Sequence, residues 1–189
     1  MEAFTDGVVA VIITIMVLEL KTPEGIGWHA LAADLPVFLS YVLSFVYVGI
    51  YWNNHHHMLQ RVEHVDGKVL WANLFVLFWL SLLPFATRWL NEAHPVPAAV
   101  PTAVYGIILL LAALSWIPLR RSLMAVNGGD ESTLAKALRG DWKTTISPLA
   151  YVVGIALAFF EPIVSCVIYA LVAVLWLVPD RRLEKVVSG

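Results

Sequence analysis

The first apolar segment of the chain, Phe4–Leu20, contains one hydroxyl in an otherwise apolar stripe. Spacings of four, three and four residues put these side chains on one face of a helix: Gly7, Val11, Thr14 and Leu18. A single hydroxyl cannot form a pathway for cations. In a symmetric ring of chains, however, each position of the stripe becomes a layer of identical groups. The pattern therefore indicates a cation pathway shared by several copies of the chain.

The Thr14 hydroxyl also has a purely structural interpretation. A threonine in a membrane helix commonly donates a hydrogen bond to the backbone carbonyl four residues earlier, which here is that of Ala10. On this interpretation the side chain satisfies its own helix and contacts no ion. Thr14 taken singly is compatible with both interpretations.

Polar side chains lie at the start of this segment and at the end of the second segment. Asp6 is placed to cap the first helix and to stabilise the positive end of its dipole, or to bond His or Asn groups at the end of the second segment. Those groups form the run Asn53–His57. Consecutive helical residues point about 100° apart, so three adjacent histidines cannot hold one ion from one helix. We expect hydrogen bonds from this run and no metal site.

Hydroxyl groups recur along the second apolar segment, and a carboxamide lies in the third. These residues are Ser40, Ser44, Tyr47, Tyr51 and Asn73. Polar groups in membrane helices find partners on neighbouring helices. The pattern predicts hydrogen bonds between helices, with a packing role.

The composition is typical of a membrane protein. Of the 189 residues, 60% are apolar and 14% are charged, and the mean hydropathy is +0.78. Soluble domains are about half apolar and about a quarter charged. The net charge of −2, without a basic patch, argues against nucleic acid as a partner. The chain has no nucleophile elbow and no glycine-rich phosphate loop, so we do not expect an enzyme.

Six apolar segments predict an all-α, polytopic membrane protein with six transmembrane helices. The segments are Phe4–Leu20, Leu35–Tyr51, Val69–Leu90, Ala98–Leu119, Thr144–Phe160 and Pro162–Val178. The third is broken by Pro84, and a tight turn at Glu161-Pro162 joins the last two. Without an internal repeat or a linker, residues 1–189 are expected to form a single domain.

The distribution of Lys and Arg predicts the orientation of these helices. With both termini on one side of the membrane, ten of the twelve basic residues face that side, and only Lys21 and Arg88 face the other. Basic residues accumulate in cytoplasmic loops. The chain is therefore predicted to be a multi-pass protein of the cell membrane with both termini in the cytoplasm. In the long loop at 120–143, an amphipathic stretch at 130–142 predicts a short helix at the membrane surface.

Three stretches resemble the transmembrane protein 175 family. FTDGVVAVIITIMVLEL, from Phe4, is similar to its first helix, which opens with the motif R-x-x-x-F-S-D. YWNNHHHML, from Tyr51, resembles the end of its second helix. WANLFVLFWLSLLPFATRW, from Trp71, resembles its third helix, with Asn73 and Pro84 in the expected places. The resemblance covers residues 4 to about 90.

This resemblance implies a potassium-permeable cation channel without a TVGYG filter, modestly selective for potassium over sodium. It implies a homotetramer in the lipid bilayer whose four first helices line the pore, with permeating K⁺ and no bound cofactor. The pore-lining positions would be Val11, Thr14, Ile15 and Leu18. Val11 would form a narrow hydrophobic layer, Thr14 the hydroxyl layer tied to selectivity, and Leu18 the outer apolar layer.

The resemblance also implies a hydrogen-bond network at the inner end of the pore helix. The positions carried over to it are Phe4, Thr5, Asp6, Asn54, His55, His56 and Asn73. The chain departs from the family pattern in three places. Thr5 replaces the usual Ser, the Arg of the motif would precede Met1, and Val11 is smaller than the usual Ile or Leu.

Two other functions are compatible with a membrane protein of this kind. A secondary transporter or proton-coupled carrier needs a carboxylate or a broken helix at mid-membrane. Asp6, Glu19 and Glu161 instead map near the ends of their segments. A membrane-embedded interaction protein needs no pathway at all. Flux measurements in liposomes would distinguish the three.

Overall fold

The computed structural model describes residues 1–60, 62–92, 96–129 and 142–177, and these residues form eight α-helices and no strand. The helices are α1 (Glu2–Leu18), α2 (Trp28–Ala33), α3 (Leu35–Leu59), α4 (Gly67–Ser81), α5 (Leu83–Glu92), α6 (Ala99–Val126), α7 (Lys143–Leu157) and α8 (Pro162–Leu177). The prediction of an all-helical chain is confirmed. The predicted surface helix falls on residues 130–142, nearly all of which lie outside the described residues.

Within the described residues, three helical stretches are long and apolar enough to cross a membrane: Leu35–Leu59, Gly67–Glu92 and Ala99–Val126. α7 and α8 are apolar but shorter. The second of the three stretches is interrupted at Leu82, between α4 and α5. Pro84 lies at the second position of α5, where a missing backbone N–H breaks no helical hydrogen bond. The predicted break in the third segment is therefore present.

The end of α3 carries the polar run, as the sequence predicts. The apolar part of the second segment stops at Tyr51, and the helix continues to Leu59 with Asn53–His57 in its last turns. A helix is held by local backbone bonds, so polar side chains do not end it. The histidines consequently have helical spacing and point in different directions.

α6 lies at the centre of the fold and packs against α4, α5, α7 and α8. Its Gly106 and the Gly154 of α7 leave room for the buried ring of Tyr169 from α8. A Cβ on Gly106 would overlap the Tyr169 hydroxyl and lie 2.6 Å from its Cζ and 2.9 Å from Ile155 Cγ1. The missing side chain is what allows α8 to approach.

Gly106→Ala is therefore expected to destabilise the protein by about 3 kcal/mol, because a packed core must shift to accept the methyl group. Thermal unfolding in detergent measures the loss. Gly49→Ala in α3 is the matched control, since no atom lies within 4 Å of its added Cβ. In a helix that change is neutral or stabilises by about 0.5–1 kcal/mol. Equal stability of the two variants would contradict this view of the α6–α8 contact.

Asn127, just after α6, holds the connection between α3 and α4. Its Oδ1 accepts hydrogen bonds from the backbone N–H groups of Glu63 and His64, at 2.9 and 3.0 Å. Its Nδ2 donates to the carbonyls of His64 and Leu123, at 3.0 and 2.9 Å. A turn follows, with Gly128 and Gly129 at φ 95° and 66°. One carboxamide thus joins two loops on the same side of the molecule.

Candidate functional site

α1 has a buried face that packs against α3, α4 and α5. The buried residues are Thr5, Val9, Ile12 and Met16, and each is at most 5% exposed. Their spacings of four, three and four residues follow one face of a helix. This face attaches α1 to the rest of its own chain.

The opposite face of α1 is exposed and carries the predicted stripe. Val11 is 55% exposed and Leu18 is 81% exposed. Gly7 and Thr14 are exposed on the same face, and Ile15 lies beside them at 42%. A continuous apolar face of this length is available to further copies of the chain or to lipid.

The Thr14 hydroxyl donates a hydrogen bond to the backbone carbonyl of Val11, at 2.9 Å. The predicted acceptor, the carbonyl of Ala10, is wrong: the bond reaches three residues back and not four. This bond uses the only proton of the hydroxyl. The remaining lone pairs of the oxygen stay on the exposed face, where they can coordinate a cation.

A buried chain of hydrogen bonds connects α1, α4 and α3. Asn73 Nδ2 donates to Thr5 Oγ1 at 2.9 Å, and Asn73 Oδ1 bonds His55 Nε2 at 2.9 Å. A carboxamide oxygen only accepts, so Nε2 of His55 carries the proton. Its Nδ1 is buried without a partner among the described residues. All three residues are at most 3% exposed.

The acidic residues of α1 bind the end of α3 in a way that the sequence did not predict. Asp6 was expected to cap the first helix or to bond a His or Asn. Both are wrong, because α1 already begins at Glu2 without a side-chain cap, and Asp6 Oδ1 accepts a hydrogen bond from Trp52 Nε1 at 2.8 Å. His56 instead donates from Nδ1 to Glu2 at 2.9 Å, and its Nε2 lies 2.9 Å from Gln60 Nε2. The run Asn53–His57 therefore supplies hydrogen bonds to α1 and α4 through His56 and His55.

Two predicted members of the network lie elsewhere. Phe4 is 57% exposed and does not lie on the buried face of α1. Asn54 lines a cavity between α3, α6, α7 and α8. Sequence reasoning missed Trp52 and Glu2, although the tryptophan was part of the quoted second-helix stretch.

An ion pair holds the other end of α1. Arg88 Nη1 of α5 lies 3.1 Å from Glu19 Oε2, and Arg88 Nε lies 4.0 Å from Glu92 Oε1. All three side chains are exposed, so the pair contributes little to stability. It nevertheless shows that α1 ends beside α5, whereas its start lies beside the end of α3.

The polar residues of α3 make the hydrogen bonds between helices that their pattern predicts. Ser44 bonds Thr87 at 2.7 Å and Tyr105 at 2.9 Å. Ser40 donates to Asn91 Oδ1 at 2.6 Å, and Tyr47 donates to the carbonyl of Tyr169 at 2.6 Å. Tyr51 differs, since its ring packs edge-on against Trp116 and its hydroxyl makes no hydrogen bond to a described residue.

Comparison with known proteins assigns the family. Residues 1–84 match the family model described as "Endosomal/lysosomal potassium channel TMEM175". A potassium channel of Chryseobacterium sp. (strain P1-3) is 51% identical over 185 residues, which are 98% of this chain and 95% of that protein. The chain belongs to the TMEM175 family.

Further TMEM175 relatives extend the similarity over nearly the whole fold. A potassium channel of Streptomyces collinus is 33% identical over 91% of this chain and 87% of its own length. The crystal structure of a lysosomal potassium-selective channel TMEM175 homolog from Chamaesiphon minutus superposes with a TM-score of 0.76. It is 29% identical and covers 93% of this chain and 94% of that one. The suggested resemblance to this family is confirmed. The exposed stripe of α1 and the hydrogen bonds that join Glu2, Thr5 and Asp6 to α3 and α4 lie within residues 1–84, the range matched by the family model.

Proposed function

We propose that this chain forms a potassium-permeable cation channel of the cell membrane, as a homotetramer with α1 lining the pore. The observation that carries the proposal is the division of α1 into two opposite faces. One face is packed into its own subunit, and the other exposes Val11, Thr14 and Leu18. The names of the relatives, potassium channels in two bacteria, support the choice of ion.

In a fourfold ring the exposed face supplies successive layers. Four Thr14 oxygens replace part of the hydration shell of a cation, because each hydroxyl proton is already bonded to a carbonyl. Val11 and Leu18 form apolar layers on either side, where pore width and wetting control conduction. Ile15 lies at the edge of the ring and contributes to its walls. No bound cofactor is required, and catalysis has no role in this function.

The same proposal places six spans in the membrane: α1, α3, α4 with α5, α6, α7 and α8. Two contacts support the proposal that successive spans cross the membrane in opposite directions. Glu2 at the start of α1 meets His56 near the end of α3, so these helices are antiparallel. Glu19 after α1 meets Arg88 of α5, so α1 and α5 run the same way.

The topology is expected to show both termini in the cytoplasm. Reporters fused after Gly189 and between α6 and α7 should report the inside, because this side receives ten of the twelve basic residues. A reporter at Pro95 should report the outside. An inside signal at position 95 would contradict the proposed orientation, in which α1 begins at the cytoplasmic side of the membrane.

Purified protein in liposomes provides the test of the function. Passive potassium flux that follows the membrane potential supports a channel, and proton-coupled uptake supports a carrier. Absence of both supports an interaction protein. A count of subunits in mild detergent tests the ring independently, since a monomer with one exposed α1 cannot enclose a pore.

A further inference from the structure

An elongated apolar groove lies between α3 and α8, beside the last turn of α5. Its volume is about 560 Å³, which is within the usual range of roughly 300–1,000 Å³ for small-molecule sites. The walls are formed by aliphatic side chains, among them Leu39, Leu43 and Val46 of α3 and Val167, Ala170 and Val174 of α8. None of the described residues that line the groove is charged. The groove therefore suits an uncharged, apolar occupant.

A buried hydrogen bond fixes the spacing of α3 and α8 beside the groove. Tyr47 of α3 donates to the backbone carbonyl of Tyr169 of α8 at 2.6 Å, and both tyrosines are at most 1% exposed. Ser44 of α3 is bonded in turn to Thr87 and Tyr105. Closing the groove by a shift of α8 would leave buried polar groups without partners, which is costly. The groove is therefore preformed, and a ligand must fill it.

The groove follows two helices that the proposed topology places in the membrane, so the material at its mouth is lipid. The side chains on its rim, Val42, Val167 and Val174, are 37%, 51% and 55% exposed. Along α8 the lining extends from Ile163 to Leu177, a rise of about 21 Å. The hydrocarbon of one leaflet spans about 15 Å, half of the bilayer core. Apolar cavities exclude water and bind apolar molecules. An acyl chain therefore fits the groove in both length and polarity.

An amide group lies at one end of the groove. Asn91, in the last turn of α5, accepts a hydrogen bond from Ser40 through Oδ1 at 2.6 Å. Its Nδ2 makes no hydrogen bond to another described residue. Pro36 and Ile163 also line the groove and belong to the first turns of α3 and α8. In the proposed topology this end lies at the outer edge of the hydrocarbon region, where the ester carbonyls of phospholipids begin.

We propose that this groove binds one acyl chain of a phospholipid from the outer leaflet, with the ester carbonyl of that chain accepting a hydrogen bond from Asn91 Nδ2. An amide N–H group without a nearby cation recognises a neutral carbonyl and not a phosphate. The lipid is therefore selected by its ester linkage and chain, while the headgroup stays outside the groove. The site does not depend on the pore, and only its placement in the membrane rests on the proposed topology.

Thermal unfolding of the full chain in mild detergent tests the proposal without measuring ion flux. Diester phosphatidylcholine at a hundredfold excess over its Kd should raise Tm by about 5–10 °C. Diester phosphatidylglycerol with the same chains should give the same rise, because the described lining carries no charge. The matching diether phosphatidylcholine has no ester carbonyl and should give a smaller rise. Equal rises with the diester and diether lipids, a rise that depends on headgroup charge, or no rise at all would overturn the proposal.

Cys166 offers a local measurement of occupancy, because it lines the groove and is the only cysteine of the chain. Its thiol is alkylated with a maleimide in detergent, with and without diester phosphatidylcholine. The lipid should slow alkylation severalfold, since a chain in the groove covers the sulfur. A rise in Tm with an unchanged alkylation rate would place the lipid elsewhere on the protein, and the proposed site would be wrong.

Variants separate the two contacts. Ala170→Phe fills the groove and should abolish both effects of the lipid, whereas Asn91→Leu keeps the groove and should make the diester and diether lipids equivalent. Leu171→Phe is the matched control, because Leu171 is the next residue of α8 but is 62% exposed and does not line the groove. It should respond to lipid as the parent does. If Leu171→Phe loses the rise as Ala170→Phe does, general contact with lipid explains the effect. A lower subunit count for Ala170→Phe, with no lipid effect on the parent, would assign the groove to a second copy of the chain and overturn the proposal.

Discussion

Thr14→Val is expected to remove the preference for potassium over sodium while leaving the channel assembled. Valine keeps the shape of threonine, so a ring of oxygens becomes a ring of methyl groups. A permeating ion then finds no partner for the water that it sheds. The reversal potential under opposed potassium and sodium gradients should move towards that of a non-selective pore, or the current should fall steeply. Thr14→Ser, which keeps the hydroxyl, should retain the parent selectivity.

Val11→Ala is expected to act differently from Thr14→Val, although Val11 and Thr14 lie only three positions apart on one stripe. It widens an apolar layer without removing an ion ligand, so current should rise with little change in ion preference. Val17→Ala is the matched control, because Val17 is similarly exposed, at 46%, but lies off the stripe. Ile12 is unsuitable as a control, since it is 3% exposed and its truncation costs about 2–5 kcal/mol. If Val17→Ala alters permeation as much as Thr14→Val, the assigned pore face is wrong.

Asn73→Leu is expected to have the largest effect outside the stripe. Leucine fills a similar volume but bonds neither Thr5 nor His55, and each buried group left without a partner costs about 1–3 kcal/mol. The inner end of α1 would lose its link to α4 and α3. We expect a lower unfolding temperature together with weaker tetramers or lost conduction, measured by subunit counting in detergent and by liposome flux.

Asp6→Ala provides the comparison for that result. Its bond to Trp52 is exposed, so its loss should cost on the order of 1 kcal/mol, as for a helix cap. Helix insertion should be unaffected, since removing a charge from an apolar segment favours insertion. If the buried hydrogen bonds of Asn73 to Thr5 and His55 are the main link between α1 and the rest of its subunit, Asn73→Leu should disturb assembly more than Asp6→Ala does. The reverse order would place the main constraint on the Asp6–Trp52 bond.

The sequence by itself determined the elements that depend on local pattern. High hydropathy and the lengths of the apolar runs predicted membrane helices, because a long apolar run is stable only in lipid or in a core. The spacing of Val11, Thr14 and Leu18 predicted one helical face, since the helical period is a property of the backbone. Pro84 predicted the interruption before α5 for the same local reason.

The tertiary structure alone decided which groups meet. Asp6 bonds Trp52, Glu2 bonds His56 and Glu19 pairs with Arg88, and no spacing in the sequence encodes these contacts. They follow from the rotation and depth of α1 against α3 and α5, which the packing of whole helix faces sets. Packing also decided that the stripe of Thr14 remains exposed while the opposite face, with Ile12, is buried. Both faces of α1 are apolar, so hydrophobicity could not distinguish them, and only the shape of the neighbouring helices did.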